Sequence, residues 1–259
     1  AASVPAGAST GEAEARELRD EDPDRYDGLG CRQAVARVRG EIAEALVGFA
    51  PADQAELDGR LRGMDGTGNL ARLGANAVLG VSLAWARAAV SATGESLVRF
   101  LGRMVPGAEP RRPRPWVNLL SGGLHAGGQV GIQDVMVVPV RADSIEAVLE
   151  VAFRCREAAA ERIEDRFSAR RLTADEGGWA PPVGSSEELI ELAVDAVEAA
   201  GLEPGRDVGL GLDVAASHFE ERSDAGRILY HLDGDPLTAE ALIGRLVDCA
   251  TRFPIVSIE

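Results

Sequence analysis

Asp207-Val-Gly-Leu-Gly-Leu-Asp213 and Pro254-Ile-Val-Ser-Ile-Glu259 decide the fold. Each is an apolar run of strand length with an acid at its C-terminal end. Runs this continuously apolar suit strands buried on both faces, as in a sheet flanked by helices. In an α/β barrel the C-terminal strand ends face the active-site mouth, where catalytic and metal-binding carboxylates sit. Glu259 is the final residue, so we expect a longer barrel cut mid-sheet.

Working outward, Thr238 to Arg252 reads as a helix, and so do Ser144 to Arg166 and Ser186 to Ala200, the last opened by Ser185 or Ser186 and closed by Gly201. Trp116-Val-Asn-Leu-Leu and Val135-Met-Val-Val-Pro-Val read as further strands, and Arg227-Ile-Leu-Tyr-His-Leu as a hairpin arm. Buried strands alternating with helices predict a mainly parallel sheet. Asp134, Asp213 and Glu259 at strand ends, with Glu176 in a loop, predict one carboxylate-rich mouth.

Toward the N-terminus the pattern is helical. Val35, Val38, Ile42, Leu46 and Phe49 recur at helical steps from Cys31 onward, and Pro51 to Leu61 reads as a short second helix. Leu70 to Thr93 reads as a buried, alanine-rich helix, with Gly74 and Gly80 permitting close approach of a neighbouring helix, and Glu95 to Met104 continues as helix. Val105 to Pro115 holds four prolines and three arginines and marks a domain boundary. The expected domains are therefore 1–108, partial α+β and mostly helical, and 109–259, the first part of an α/β barrel.

Composition narrows the function. A net charge of −15 argues against nucleic acid, which calls for a basic face. An acidic chain still accepts an anionic substrate if metal ions reverse the local field. All 27 basic residues are arginine. Cys31, Cys155 and Cys249 have no CxxC spacing and read as buried thiols of a cytoplasmic protein. No signal peptide is legible at Ala1 to Thr10, and the apolar run from Val78 to Ala86 reads as too short to cross a bilayer. We expect a soluble cytoplasmic protein without membrane partners.

Five segments, in order, resemble the enolases (phosphopyruvate hydratases). They are Ser3-Val-Pro-Ala-Gly-Ala-Ser-Thr-Gly with Glu17-Leu-Arg-Asp; Leu73-Gly-Ala-Asn-Ala-Val-Leu-Gly-Val-Ser-Leu; Asn118-Leu-Leu-Ser-Gly-Gly-Leu-His-Ala-Gly-Gly; Asp175-Glu-Gly-Gly-Trp-Ala-Pro; and Leu212-Asp-Val-Ala-Ala-Ser-His-Phe running on to Ile255-Val-Ser-Ile-Glu259. The resemblance implies an α/β fold: a partial α+β capping domain followed by a truncated enolase-type (β/α) barrel, lacking both ends. It implies Mg²⁺-dependent reversible dehydration of 2-phosphoglycerate to phosphoenolpyruvate in glycolysis, with two ions per site and a homodimeric assembly.

On that resemblance Asp213 and Glu259 are metal carboxylates, and Ser9 closes onto the second ion when substrate binds. Glu176 is the general acid, His125 approaches the phosphoryl end of the substrate, and Gln133 lies near the metal and the acid. Asp134 partners the general acid, where the family usually has glutamate; one methylene less withdraws the carboxylate by about 1 Å, and such a misplacement costs on the order of 10²-fold in rate. His218 stands for a usual glutamate and, like His231, otherwise reads as structural. The proton-abstracting lysine and third metal carboxylate fall beyond Glu259, so the chain as given is expected to be catalytically incomplete. Two alternatives stay open. One is an enolase-like paralogue acting on a related phosphonate or phosphate carboxylate, and the other is a non-catalytic binding relative.

Overall fold

A computed structural model describes residues 1–7, 11, 13–107, 109, 111–222 and 226–259. The chain forms two compact units, Ala1–Arg112 and Pro113–Glu259, divided within the proline- and arginine-rich segment.

In the first unit, α1 (Arg32–Arg37), a π-turn at Val38–Ile42 and α2 (Ala43–Leu46) follow one another with helical backbone throughout. After them comes α3 (Gln54–Asp65), whose first turn is closed by the Asp53 carboxylate accepting from the Glu56 amide at 2.8 Å. It stops at Gly66, where φ is +72°. Next are α4 (Ala75–Thr93) and α5 (Leu97–Gly102). Ile42, Leu57, Leu61, Leu73, Ala77 and Val78 form the core of this unit.

The helix expected from Leu70 starts only at Ala75, and the reason is local. Asp65, 2% exposed, accepts from the amides of Thr67 at 3.0 Å, Arg72 at 3.1 Å and Leu73 at 2.7 Å, and from the Thr67 hydroxyl. These bonds curl residues 66–73 into a loop that cannot also be helical. The expectation of a buried helix also needs correction: in α4 only Ala77, Val78 and Ala86 are buried. Nor does Gly74 admit another helix. A Cβ there would lie 2.5 Å from that of Leu18, so the close neighbour is a non-helical segment, tied by Asn76 to the Leu18 amide and carbonyl at 3.1 Å each. At 19 residues α4 is long and apolar enough to span a membrane by length and composition, beyond the shorter run read from the sequence. Here Ala77 and Val78 insert it into the core of the unit.

In the second unit a four-stranded sheet has the order β1 (Val117–Ser121), β2 (Asp134–Pro139), β3 (Val208–Asp213), β7 (Ile255–Ile258). A separate meander comprises β4 (Glu220–Arg222), β5 (Ile228–Leu232) and β6 (Asp235–Leu237). The helices are α6 (Ile145–Phe167), α7 (Ser186–Ala199) and α8 (Ala239–Arg252), opened by side-chain caps from Ser144, Ser185 and Thr238. Burial concentrates where α6 and α7 meet the sheet: Val135, Val137, Ala159, Leu189, Leu210 and Leu212 are all sealed from solvent. Each such leucine contributes roughly 1.5–3 kcal/mol relative to exposure. Gly209 and Gly211 fall on the other face of β3, where a Cβ would come within 2.6 Å of Val256 and 2.8 Å of the Trp116 ring. Of the thiols only Cys155 is buried, and desolvation pushes it up to about 11; Cys31 and Cys249 are half-buried.

The mainly parallel sheet expected from the sequence is not what forms. β1 and β3 both run antiparallel to β2, and only the β3–β7 pair is parallel. The parity of the connections explains this. A short loop returns β1 to β2, and two helices in succession lie between β2 and β3, so each connection reverses the strand. Between β3 and β7 the chain passes through the β4–β6 meander and then α8, which brings β7 back parallel to β3.

Candidate active site

The reversed β2 gathers the acids at one end of the sheet. Asp134 opens β2 rather than closing a strand, as the sequence suggested, and stands in register with Ser121, the last residue of β1, and Asp213, the last of β3. Beyond β7, the Glu259 amide donates to Leu212 O at 2.8 Å, and Val214 donates to Glu259 O at 3.1 Å. Antiparallel and parallel pairing together thus bring Asp134, Asp213 and Glu259 to one sheet end.

Asp134 is 2% exposed, so its carboxylate needs partners. It accepts from Asn118 Nδ2 at 2.5 Å and Ser121 Oγ at 2.6 Å, and lies 3.0 Å from His125 Nδ1. Asn118 and Ser121 would point to opposite faces of a regular strand. A register shift between Asn118 and Leu120 turns both toward Asp134. These two residues escaped the sequence reading, although two polar side chains inside an apolar run were the available signal.

His125 sits on a 3₁₀ turn, Gly123–Ala126, and is itself buried. With Nδ1 facing Asp134, its Nε2 is enclosed and has no hydrogen-bond partner among the described residues. A carboxylate behind one imidazole nitrogen fixes the ring and leaves the other for a ligand. Glu176 is exposed at the tip of a tight turn in which Gly177 has φ +83° and its amide donates to Ala174 O at 2.9 Å. Gly178 must lack a side chain, because a Cβ would lie 2.6 Å from Ser121 Oγ and 2.8 Å from Asn118 Oδ1. Among the described residues, His125, Asp134 and Glu176 form a group whose ligand atoms all lie within 4.8 Å of one another, close enough to share a metal ion.

Asp213 and Glu259 stand outside that group. Asp213 is half-buried; its Oδ1 accepts from the Ala215 amide at 3.1 Å and its Oδ2 from Gln133 Nε2 at 2.9 Å. Gln133 is held in turn, its amide donating to Asp213 O at 3.0 Å and its carbonyl accepting from Gly122 at 2.7 Å. A carboxylate oriented in this way, with hard oxygens at a rigid strand end, fits Mg²⁺. One nitrogen and two carboxylates at His125, Asp134 and Glu176 suit a transition metal better than Mg²⁺. Ser9 lies outside the described residues. His218 and His231 share a separate cavity of about 390 Å³ with Phe219 and the loop from Gly123 to Gly131.

Strand ends converging on acids, with a buried imidazole and a glutamate-bearing turn beside them, define an α/β enzyme with a metal-capable mouth. Family models agree over nearly the whole chain: the enolase N-terminal domain matches residues 1–101, and the enolase C-terminal TIM barrel domain matches residues 111–259. The chain belongs to the enolase family, whose members are lyases.

Proposed function

We propose that, within the parent protein, this site takes part in the reversible Mg²⁺-dependent dehydration of 2-phosphoglycerate to phosphoenolpyruvate, as a cytoplasmic glycolytic hydro-lyase that works as a homodimer on this phosphorylated carboxylate. The observation that carries the reading is the enclosed Nε2 of His125, aimed by Asp134 and neighboured by Glu176. Asp213 and Glu259 would hold Mg²⁺. Bound there, the ion would stabilise negative charge on the substrate carboxylate as the neighbouring carbon gives up its proton to a base outside the residues named here. His125, its Nδ1 toward Asp134, presents Nε2 to a phosphoryl oxygen. Glu176, on its exposed turn, delivers a proton to the departing hydroxyl. Gln133 keeps Asp213 facing inward.

The test is phosphoenolpyruvate formation from 2-phosphoglycerate, followed by ultraviolet absorbance with Mg²⁺ and after chelation. Folded parent protein that binds Mg²⁺ yet shows no turnover would defeat the reading. A second reading, a paralogue acting on a related phosphonate or phosphate carboxylate, is favoured by one observation. The short side chain of Asp134 is already engaged by Asn118, Ser121 and His125. Under the first reading Asp134→Glu raises turnover of 2-phosphoglycerate; a fall supports the second.

A further inference from the structure

We propose that Arg156, on α6, is a positioning residue that clamps the turn carrying Glu176. Its guanidinium carbon lies 3.9 Å from the centroid of the Trp179 ring. Its Nη1 donates to Gly177 O, and its own carbonyl accepts from the Trp179 indole N–H at 2.9 Å. The hold therefore grips the residue directly after Glu176 and the ring two residues further on. Trp179 is itself fixed from the opposite side, where its amide donates to Leu119 O at 2.9 Å and its carbonyl accepts from Ser121 at 2.8 Å. Trp179, 8% exposed, is thus a post set between β1, through its backbone, and α6, through its indole.

Such a clamp is needed because Gly177 and Gly178 give the turn two residues with little intrinsic conformational preference. A planar guanidinium stacks and donates at once, which a lysine ammonium cannot do. Misplacing an acid by about 1 Å costs on the order of 10²-fold in rate. Arg156 therefore acts on the chemical step through the turn, without touching substrate. This rests on Glu176 being the proton donor, so the experiment includes an arm independent of turnover.

Hydrogen–deuterium exchange over residues 174–179 is compared in the full chain and in Arg156→Met, Arg156→Lys and Trp179→Phe, alongside steady-state kinetics. Exchange over the turn is expected to rise at least tenfold in R156M and R156K while that of β2 and β3 stays fixed. In the same two variants kcat falls about 10–100-fold, with KM within twofold. W179F, which keeps the stacked ring and loses only the indole donor, shows a smaller change in both. Unchanged exchange in R156M overturns the clamp, as does a kcat restored in R156K, which would mean that charge alone matters. Loosened exchange with unaltered kcat overturns the catalytic link. If R156M does not fold, R156K and W179F decide by the same criteria. Absence of turnover in the unmodified protein fails the proposed activity instead, and the clamp is then judged on exchange.

Discussion

Asp65 in the first unit and Asp134 in the second are equally buried, each 2% exposed, yet they are satisfied in different ways. Asp65 takes its donors mostly from backbone, the amides of Thr67, Arg72 and Leu73. Every bond it makes fixes the path of the chain. Asp134 takes side chains, those of Asn118, Ser121 and His125, and the last has a far nitrogen with no hydrogen-bond partner among the described residues. A buried acid served by amides shapes a loop. One served by side chains sets the orientation of those side chains instead.

Four substitutions sharpen or break this contrast. The largest effect is expected from Glu176→Gln, beside Asp134: loss of the proposed proton donor should lower kcat by about 10²–10⁴-fold without altering the thermal midpoint. Full activity in that variant would remove Glu176 from the chemistry. Next, Asp65→Ala leaves buried amides without an acceptor and should cost about 2–3 kcal/mol of stability, measured by urea unfolding. Its effect should stay confined to the first unit. Acid adds an independent check. Burial alone would raise the Asp65 pKa, but hydrogen bonds from Thr67, Leu73 and Arg72 outweigh it and hold the pKa below its ordinary 3.8. The resulting stability is complete above that ordinary value and is lost as pH falls through the lower, folded-state value. Asp65→Asn should erase that acid limb; a variant that still shows it would place the titration elsewhere.

The smallest effect falls on Asp134→Asn, which retains size and some hydrogen bonding but no longer sets the imidazole. A loss of about 10–100-fold in activity is expected, with a smaller stability change than Asp65→Ala. Should the two variants reverse, so that Asp134 governs stability and Asp65 governs rate, the contrast is mistaken.

Much of this was legible in the chain itself. Ser144, Ser185 and Thr238 announced three helix starts, and the apolar runs ending at Asp213 and Ile258 located two strands. Strand direction was missed because alternation of strand and helix was read without counting helices, although both helices between Pro139 and Val208 had been recognised. The partners of Asp134 were hidden for a different reason. Asn118 and Ser121 share a face only because the β1 ladder is irregular, and that irregularity leaves no mark in a pattern of alternating residues. The loop curled by Asp65 is likewise a matter of three-dimensional bonding, invisible to helical spacing.

The paired helices α6 and α7 impose a rule on how this protein can diverge. Their loops tolerate lengthening, since neither alters the heading of the next strand. Gain or loss of one whole helix between Pro139 and Val208 would turn β3 end for end relative to β2 and send Asp213 to the far rim. Lineages descending from this chain should therefore vary in the length of that stretch while keeping an even helix count.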